Sequence, residues 1–206
     1  PPFIATLGTM VIVYGVNSLY FDMDPNQSQP IGGLRPDFTK IGSGFIGSGQ
    51  YSIPYIVIVA LVVAGIVWVL FNKTKLGKNM YAIGGNMQAA KVSGIDVSKN
   101  LIYIYAIAAA LYGLAGVLEA ARTGGATNNY GNMYELDAIA ACVVGGVSTT
   151  GGIGTVPGVL VGVIIFTLIN YGLTFIGISP YYQLIIKGLI IIAAVAFDMR
   201  KYSSKK

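Results

Sequence analysis

The stretch IPYIVIVALVVAGIVWVLF, residues 53–71, carries no charged residue and sets the fold class of this chain. About 20 predominantly apolar residues span the hydrocarbon core of a bilayer, which is about 30 Å thick. Tyr55 and Trp68 lie near the two ends of the stretch, where amphipathic rings favour the membrane interface. The stretch therefore predicts a transmembrane helix.

The composition of the whole chain indicates the same class of protein. Hydrophobic residues make up 54% of the 206 residues and charged residues only 10%, against roughly 25% charged residues in soluble domains. Lys and Arg outnumber Asp and Glu by 13 to 8, but they lie in short segments beside apolar runs, which indicates membrane topology rather than nucleic acid binding.

The single cysteine excludes an intrachain disulfide. The opening PPFIATLG has no initiating Met and no basic n-region, so we expect no signal peptide and a chain cut from a longer one.

Further apolar runs extend the pattern on both sides. Full spans are predicted at residues 3–21, 53–71, 101–121, 156–176 and 181–197. The run at residues 134–147 would rise only roughly 21 Å as a helix, which is too short to cross the membrane alone. Its Gly-rich flanks predict a broken or re-entrant helix that lines a pathway. The predicted fold is all-α and polytopic, with about five full transmembrane helices and one short broken helix.

Loop charges predict which side of the membrane each segment faces. Residues 72–100 contain several lysines against one acid, Asp96, and short basic loops stay in the cytoplasm. Residues 22–52, rich in Gly, Pro and Ser, then form a periplasmic loop, and the basic C-terminus is cytoplasmic. These assignments agree with one another only if the short run at residues 134–147 also crosses the membrane.

Two carboxylates, Glu135 and Asp137, stand at the head of the short run, in YELDAIAACVVGG. Acids in a first helical turn can satisfy free N–H groups and the positive end of the helix dipole. They can also join nearby hydroxyl and amide side chains in a polar mouth suited to a sugar, and both roles can hold at once. Asn17 and Asn170 are pathway donors or, as we favour, form interhelical hydrogen bonds. The predicted substrate pathway comprises Asn17, Asn128, Asn129, Tyr130, Tyr134, Glu135, Asp137 and Asn170.

Catalytic and metal chemistry find little support in the sequence. The run GGVSTTGGIG at residues 145–154 lacks the Lys of a phosphate loop, so we expect its glycines to permit turns and close helix contacts. The absence of histidine excludes HExxH zinc sites and Ser–His nucleophiles, and the acids occur in contexts too different for an aspartyl protease. We therefore expect no catalytic residue, metal site or cofactor in this chain. Glu119 and Arg122, one helical turn apart, are predicted to form a structural ion pair.

The stretch AIGGNMQAAKVSGI, residues 82–95, predicts a short helix within the cytoplasmic segment. Asn86 can cap a helix at residues 87–92, and Gly94 then ends it. Such a helix can lie on lipid headgroups or dock a cytoplasmic partner, and the residues alone leave both open.

Four stretches taken together resemble a known family. They are PFIATLGTM, TKLGKNMYAIGGNMQAAKVSGI, YELDAIAACVVGGVSTTGGIGT and SPYYQLIIKGLIIIAAVAFD. In this order they are similar to the membrane permease subunits of the ribose, xylose and galactose class of ATP-binding-cassette (ABC) sugar importers. The resemblance covers essentially all 206 residues. It implies one transmembrane permease domain, the C-terminal part of a larger permease built from two inverted halves.

The resemblance also implies a function and a set of partners. The chain would be a transport subunit, not an enzyme, that carries a monosaccharide, galactose or methyl galactoside above all, across the bacterial cytoplasmic membrane. The implied partners are a cytoplasmic ABC ATPase that hydrolyses ATP, a periplasmic sugar-binding protein, a second permease copy and membrane lipid, with no nucleic acid. The segment implied to dock on the ATPase comprises Gly84, Gly85, Asn86, Ala89, Ala90, Ser93 and Gly94. Two alternatives stay open: a proton-coupled secondary transporter that uses Glu135 or Asp137, and a non-transport membrane scaffold.

Overall fold

The computed structural model describes residues 2–47 and 52–203. Residues 48–51 of the predicted periplasmic loop and residues 204–206 of the basic tail lie outside the described residues. Within the described part, helices dominate and one short hairpin accompanies them. The elements are α1 Pro2–Asp22, α2 Pro36–Ser43, β1 Phe45–Ile46, β2 Ile53–Pro54, α3 Tyr55–Lys73, α4 Lys75–Gly85, α5 Met87–Val92, α6 Val97–Thr123, α7 Tyr134–Val144, α8 Val156–Phe175 and α9 Pro180–Ser203.

Five of these helices, α1, α3, α6, α8 and α9, are long and apolar enough to cross a membrane. They coincide with the five predicted spans, and α7, with 11 residues, is the predicted short helix. The all-α polytopic fold is therefore confirmed.

Helix α6 begins at Val97, earlier than the predicted span, because Asp96 caps it. Asp96 Oδ1 accepts a hydrogen bond from the backbone N–H of Lys99 at 3.1 Å. That backbone hydrogen bond is the main cause that lowers the pKa of the exposed Asp96 carboxyl below its ordinary value. The Lys99 ammonium, 3.3 Å from Asp96 Oδ2, acts in the same direction.

The chain divides into two compact units. The first comprises residues 1–60 and 110–132 and contains α1, α2 and the hairpin. The second comprises residues 61–109 and 133–206 and contains α4, α5, α7, α8 and α9. Helices α3 and α6 contribute residues to both units.

Residues 22–47, in the first unit, contain a helix and a strand where their Gly and Pro content predicted a loop. Pro36 begins α2, where the missing N–H of proline costs nothing. Gly42 of α2 packs against the backbone at Ala121 and Arg122 of α6, and a Cβ atom would not fit there. The placement of this segment outside the membrane stays a prediction, and its elements were missed because they are too short to show a hydrophobic period.

Helices α7 and α8 of the second unit run antiparallel and approach until their backbones touch. A Cβ atom on Gly162 would overlap the Ala141 carbonyl and lie 2.7 Å from the Gly145 nitrogen. Gly158, one turn earlier on α8, faces the Gly145 carbonyl with equally little room. Small facing residues permit such close packing of membrane helices. The expectation that the glycine run permits close helix contacts is confirmed at Gly145.

Helix α9 runs parallel to α7 at a constant offset in sequence. Asp137 contacts Lys187, and Ser148, just past the end of α7, contacts Asp198, and the partners are 50 positions apart in the sequence in each case. A constant offset means that the two helices share both direction and register. Between the two polar contacts lies an apolar core of Ala140, Ala141 and Phe166, with Ile190 and Ile191 packed against it.

Helix α4 occupies a part of the predicted cytoplasmic segment in which the sequence indicated no helix. Thr74 caps it, since its hydroxyl accepts a hydrogen bond from the Gly77 N–H at 3.1 Å. Asn79 Nδ2 donates to Asn100 Oδ1 at 3.2 Å and so ties α4 to the start of α6. The mixture of Gly and Lys in KLGKNMYAIGG concealed the helix, because tertiary contacts supply its stability.

Gly162→Leu tests the close packing of α7 on α8. The new side chain would need space that the Ala141 carbonyl occupies, so we expect overpacking to cost about 1–3 kcal/mol and to lower the melting temperature of the purified permease. Gly172→Leu is the matched control on the same helix, because a Cβ atom on Gly172 meets nothing within 4 Å. Identical melting temperatures for the two variants would contradict the close contact.

Candidate functional site

The start of α7 carries the two acids that the sequence singled out. Met133, at the N-cap position with φ of 67°, makes no side-chain capping hydrogen bond, and its carbonyl accepts the first N–H groups of the turn. Neither carboxylate bonds a backbone N–H in the described residues, so of the two capping effects that the sequence allowed only the favourable position near the helix dipole remains. The physical reason for Asp137 is a stronger partner on another helix. Glu135 is exposed and its carboxylate makes no hydrogen bond or ion pair within the described part of the chain.

Asp137 forms an ion pair with Lys187 of α9. The Lys187 ammonium lies 2.8 Å from Asp137 Oδ1 and donates a hydrogen bond to Oδ2 at 3.0 Å. Both side chains are mostly covered, with exposed fractions of 22% for Lys187 and 34% for Asp137. The same ammonium lies 6.0 Å from the ring centre of Phe166, which adds a cation–π contact. A charge at membrane depth is costly unless it is paired, so each group makes the other acceptable.

Sequence reasoning missed Lys187, although the signal was present. A lysine inside the apolar run of α9 requires a partner of opposite charge or a polar cavity. The candidates were the acids of other spans, among them Glu135 and Asp137 at the head of the short run. The sequence gives no register between helices, so the partner itself was out of reach.

The remaining predicted pathway residues are divided between the two units. Asn128, in the first unit, donates through Nδ2 to Ser18 Oγ at 3.4 Å. Asn129 accepts a hydrogen bond from Asn132 at 3.4 Å, and Tyr130 is exposed. Tyr134, in the second unit, is also exposed. Their assignment to a substrate pathway stays a prediction.

Asn17 and Asn170 do not form the interhelical hydrogen bonds that we favoured. Asn17 is exposed on α1 and makes no side-chain hydrogen bond in the described residues. Asn170 Oδ1 on α8 is buried and has no hydrogen-bond partner among the described residues. Among the described residues no polar side chain of a neighbouring helix reaches either group, and the role of both stays a prediction.

Glu119 and Arg122 lie on α6 as predicted, one turn apart. Arg122 Nη1 is 3.9 Å from Glu119 Oε2, and the arginine is 58% exposed. An ion pair this long and this exposed contributes little to stability, since exposed pairs are worth about 0–1 kcal/mol.

The short helix predicted at residues 87–92 is confirmed as α5, and its coupling role stays a prediction. Asn86 Oδ1 accepts a hydrogen bond from the Ala89 N–H at 3.0 Å and so caps the helix. Gly94, with φ of 83°, ends it in the left-handed conformation that glycine adopts without strain. Ala90 is buried inside the protein, whereas Ala89 is exposed. Ser93 is exposed as well.

Gly84 and Gly85, predicted to belong to the ATPase docking face, end α4 and meet another loop of the same unit. The backbones of Gly84 and Gly152 are so close that a Cβ atom on Gly84 would lie 2.5 Å from the Gly152 nitrogen. Tyr81, one turn earlier, donates its hydroxyl hydrogen to the Gly154 carbonyl at 2.8 Å. These contacts join α4 to the loop that follows α7.

Asp198, near the C-terminal end of α9, holds that same loop and was also missed by sequence reasoning. Its Oδ2 accepts hydrogen bonds from the Thr149 N–H at 2.9 Å, the Thr149 hydroxyl at 3.0 Å and the Ser148 hydroxyl at 3.2 Å. Ser148 is buried, so its hydrogen bond is sheltered from solvent, whereas Thr149 is exposed. An acid that ends an apolar helix was the available signal, but its partners lie far away in the sequence.

Metal binding and cofactors have no support in the residues that the structure covers. No group of three or more His, Cys, Asp or Glu side chains in the described part could hold a metal ion. The expectation that this chain carries no cofactor stays a prediction.

Known proteins resemble this chain over its whole length. The family model described as "Branched-chain amino acid transport system / permease component" matches residues 1–195. The galactose/methyl galactoside import permease proteins of Escherichia coli (strain K12) and Salmonella typhimurium are each 60% identical over 205 residues, which are 100% of this chain and 60% of theirs. The ribose import permease protein of Bacillus subtilis is 43% identical over 201 residues, 97% of this chain and 60% of its own. No solved structure matches the chain.

The chain thus spans 60% of the length of these curated relatives. The similarity to sugar permease subunits, predicted from four stretches of sequence, is confirmed. The permease relatives and the five apolar helices make this a multi-pass inner-membrane protein. Since the family model covers residues 1–195, the chain belongs to the family of branched-chain amino acid transport system permease components.

Proposed function

We propose that this chain is part of the membrane subunit of an ATP-driven importer that carries galactose or a methyl galactoside across the cytoplasmic membrane of a bacterium. The observation that carries the proposal is 60% identity, over the whole chain, to permeases named for import of these sugars. Relatives named for ribose import are more distant, at 43% and 39% identity. The difference favours a galactoside over a pentose as the cargo.

The structure supports a passive role in which ATP binds elsewhere. The one Gly-rich run that resembles a phosphate loop, at residues 145–154, is already occupied by internal contacts. Its glycines pack on α4, and its Ser148 and Thr149 donate to Asp198. A nucleotide would have to break these contacts, so we place ATP hydrolysis on a separate ATPase chain.

Helix α5 is the surface that we assign to the ATPase. Met87 and Val92 are apolar side chains with exposed fractions of 48% and 89%, and Ala89 between them leaves room for a close approach. Exposed apolar residues on a short capped helix fit a protein partner that covers them. The proposal places α5 and the C-terminus in the cytoplasm. A periplasmic sugar-binding protein and a second permease copy complete the assembly.

Uptake of labelled galactose into sealed membrane vesicles that contain the complex tests this function. The full-length permease, its ATPase and a sugar-binding protein should import galactose with ATP, and a protonophore should leave the import intact. Unlabelled methyl galactoside should compete more strongly than ribose or xylose. Import that stops with the protonophore and needs no ATP would support the proton-coupled transporter instead, and no import with any of these sugars would support a scaffold.

Ala89→Asp tests the docking surface on α5. The new carboxylate would be exposed in the free permease but buried without a partner under a docked ATPase. We therefore expect uptake to fall at least tenfold while membrane abundance stays normal. A tenfold loss corresponds to about 1.4 kcal/mol at the interface. Ala90→Asp should instead reduce abundance, because Ala90 is buried within the permease itself.

Ser98→Asp, an exposed position in the first turn of α6, is the matched control for added charge on this segment. Its uptake should equal that of the parent. Parent-like uptake by Ala89→Asp as well would remove α5 from the contact with the ATPase.

Lys187→Met tests whether the ion pair with Asp137 supports the fold, the pathway or both. The variant leaves a mostly covered carboxylate without its partner, so we expect several-fold lower abundance in the membrane. The double variant Asp137→Asn with Lys187→Met carries neither charge and should recover abundance. Uptake that stays low at recovered abundance would assign Asp137 to the sugar pathway.

Glu135→Gln is the control for this pair, since Glu135 lies in the same turn but makes no ion pair in the described residues. Its abundance should match that of the parent. A double variant no more abundant than Lys187→Met would contradict the idea that the two charges compensate each other.

A further inference from the structure

The loop between α7 and α8, residues 145–155, is held from three directions within its unit. It packs on α4 through glycine backbones and binds Asp198 of α9. It also continues directly from the end of α7. Each contact involves different atoms, so each can be removed by itself.

The contact with α4 leaves no free space. A Cβ atom on Gly151 would lie 2.7 Å from the Gly84 carbonyl oxygen, and one on Gly152 would lie 2.6 Å from the Gly85 nitrogen. Both loop glycines have positive φ, at 95° and 73°, which a side chain would strain. Because close-packed backbones do not compress, a shift of α4 must move the loop.

The contact with α9 converges on one oxygen atom. Asp198 Oδ2 accepts three hydrogen bonds, from the Thr149 N–H, the Thr149 hydroxyl and the Ser148 hydroxyl. Hydrogen bonds to an ionised acceptor are about twice as strong as bonds between neutral groups. Asp198 therefore fixes the position of the loop relative to α9.

The loop is also a stiff continuation of α7. Gly145 N–H donates to the Ala141 carbonyl at 2.9 Å, and Val147 N–H donates to the Cys142 carbonyl at 3.0 Å. Ser148 N–H donates to the Ile153 carbonyl at 3.0 Å and closes the loop on itself. Movement of the loop is therefore passed to the end of α7.

We propose that Asp198 is a positioning residue for energy coupling, which holds this loop so that movement of α4 and α5 reaches α7. The inference rests on the proposed function, in which α5 receives the ATPase. With Asp198 intact, α4, the loop and α9 are tied at one end of the unit, so displacement of α4 carries α7 with it. Without the hydrogen bonds to Asp198, the loop can slide against α9 and absorb the displacement.

The Lys187 pair and the apolar core at Phe166 hold α7 against α9 without help from Asp198. Loss of the Asp198 bonds should therefore leave the fold in place while it frees the loop. This separates a positioning role from a purely structural one. A structural role would reduce transport and ATP hydrolysis together, whereas a positioning role changes their ratio.

The test measures galactose imported per ATP hydrolysed, in proteoliposomes that contain the full-length permease, its ATPase and its sugar-binding protein. Asp198→Asn keeps an acceptor oxygen but removes the charge that strengthens the three hydrogen bonds. It should lower this ratio about fivefold or more while ATP hydrolysis continues, the lower end of typical coupling between sites. Ser148→Ala with Thr149→Val removes both hydroxyl donors from the other side and should give the same result. Thr149→Ser keeps both donors and should retain the parent ratio. Asp96→Asn, an exposed acid that bonds Lys99 of its own helix, is the control for loss of a negative charge.

An unchanged ratio in both the Asp198 variant and the double hydroxyl variant would overturn the proposal. So would a parallel fall of import and ATP hydrolysis in both, which would mark Asp198 as structural. If Asp198→Asn does not accumulate in the membrane, the double hydroxyl variant decides between these outcomes. Failure of the unaltered assembly to import galactose with ATP would overturn the proposed function itself, and that result is visible before any variant is made.

Discussion

An α-helix of 11 residues rises only about 16 Å, so α7 cannot reach across a hydrocarbon core of about 30 Å by itself. Many contacts in the second unit enclose the ends of this short helix. The backbone beyond each end of α7 must be enclosed by protein, because unpaired N–H and C=O groups are costly in lipid. Helix α8 closes on it through Gly158 and Gly162, and α9 contacts it at both ends. The glycines and the buried polar contacts of this unit are consequences of one short helix.

The polar contacts at the two ends of α7 differ in chemistry. At its start, Asp137 and Lys187 neutralise each other, and the pair keeps a negative charge near the positive end of the α7 dipole. Beyond its end, Asp198 accepts hydrogen bonds from N–H and O–H donors of the loop. The first arrangement suits a site at membrane depth, where net charge is costly. The second suits the end of a span, where headgroups and water are near.

Features whose evidence lies within a few neighbouring residues could be predicted from the sequence. The five spans follow from uninterrupted apolar runs, and the Asn86 cap of α5 follows from a side chain that reaches only three residues along the chain. The Asp137–Lys187 pair could not be predicted, because its partners are 50 residues apart and one sequence carries no register between helices. Residues 36–43 were missed for another reason, since a helix of 8 residues stabilised by the packing of Gly42 shows no clear period.

The partners of α7 nevertheless leave a pattern in the sequence of α9. Lys187 and Asp198 are separated by about three turns at 3.6 residues per turn, so they lie on the same face of that helix. Ile191, one turn after Lys187, lies on this face and packs against the core. This face of α9 is apolar in its middle and charged at both ends. The segment that packs against it must therefore offer an acid opposite Lys187 and hydrogen-bond donors opposite Asp198. Among the segments of this chain, α7 with the loop that follows it supplies Asp137 and then Ser148 at the same spacing. The whole-turn spacing of Lys187 and Asp198 thus equals the spacing of their partners, as two packed segments that run in the same direction require.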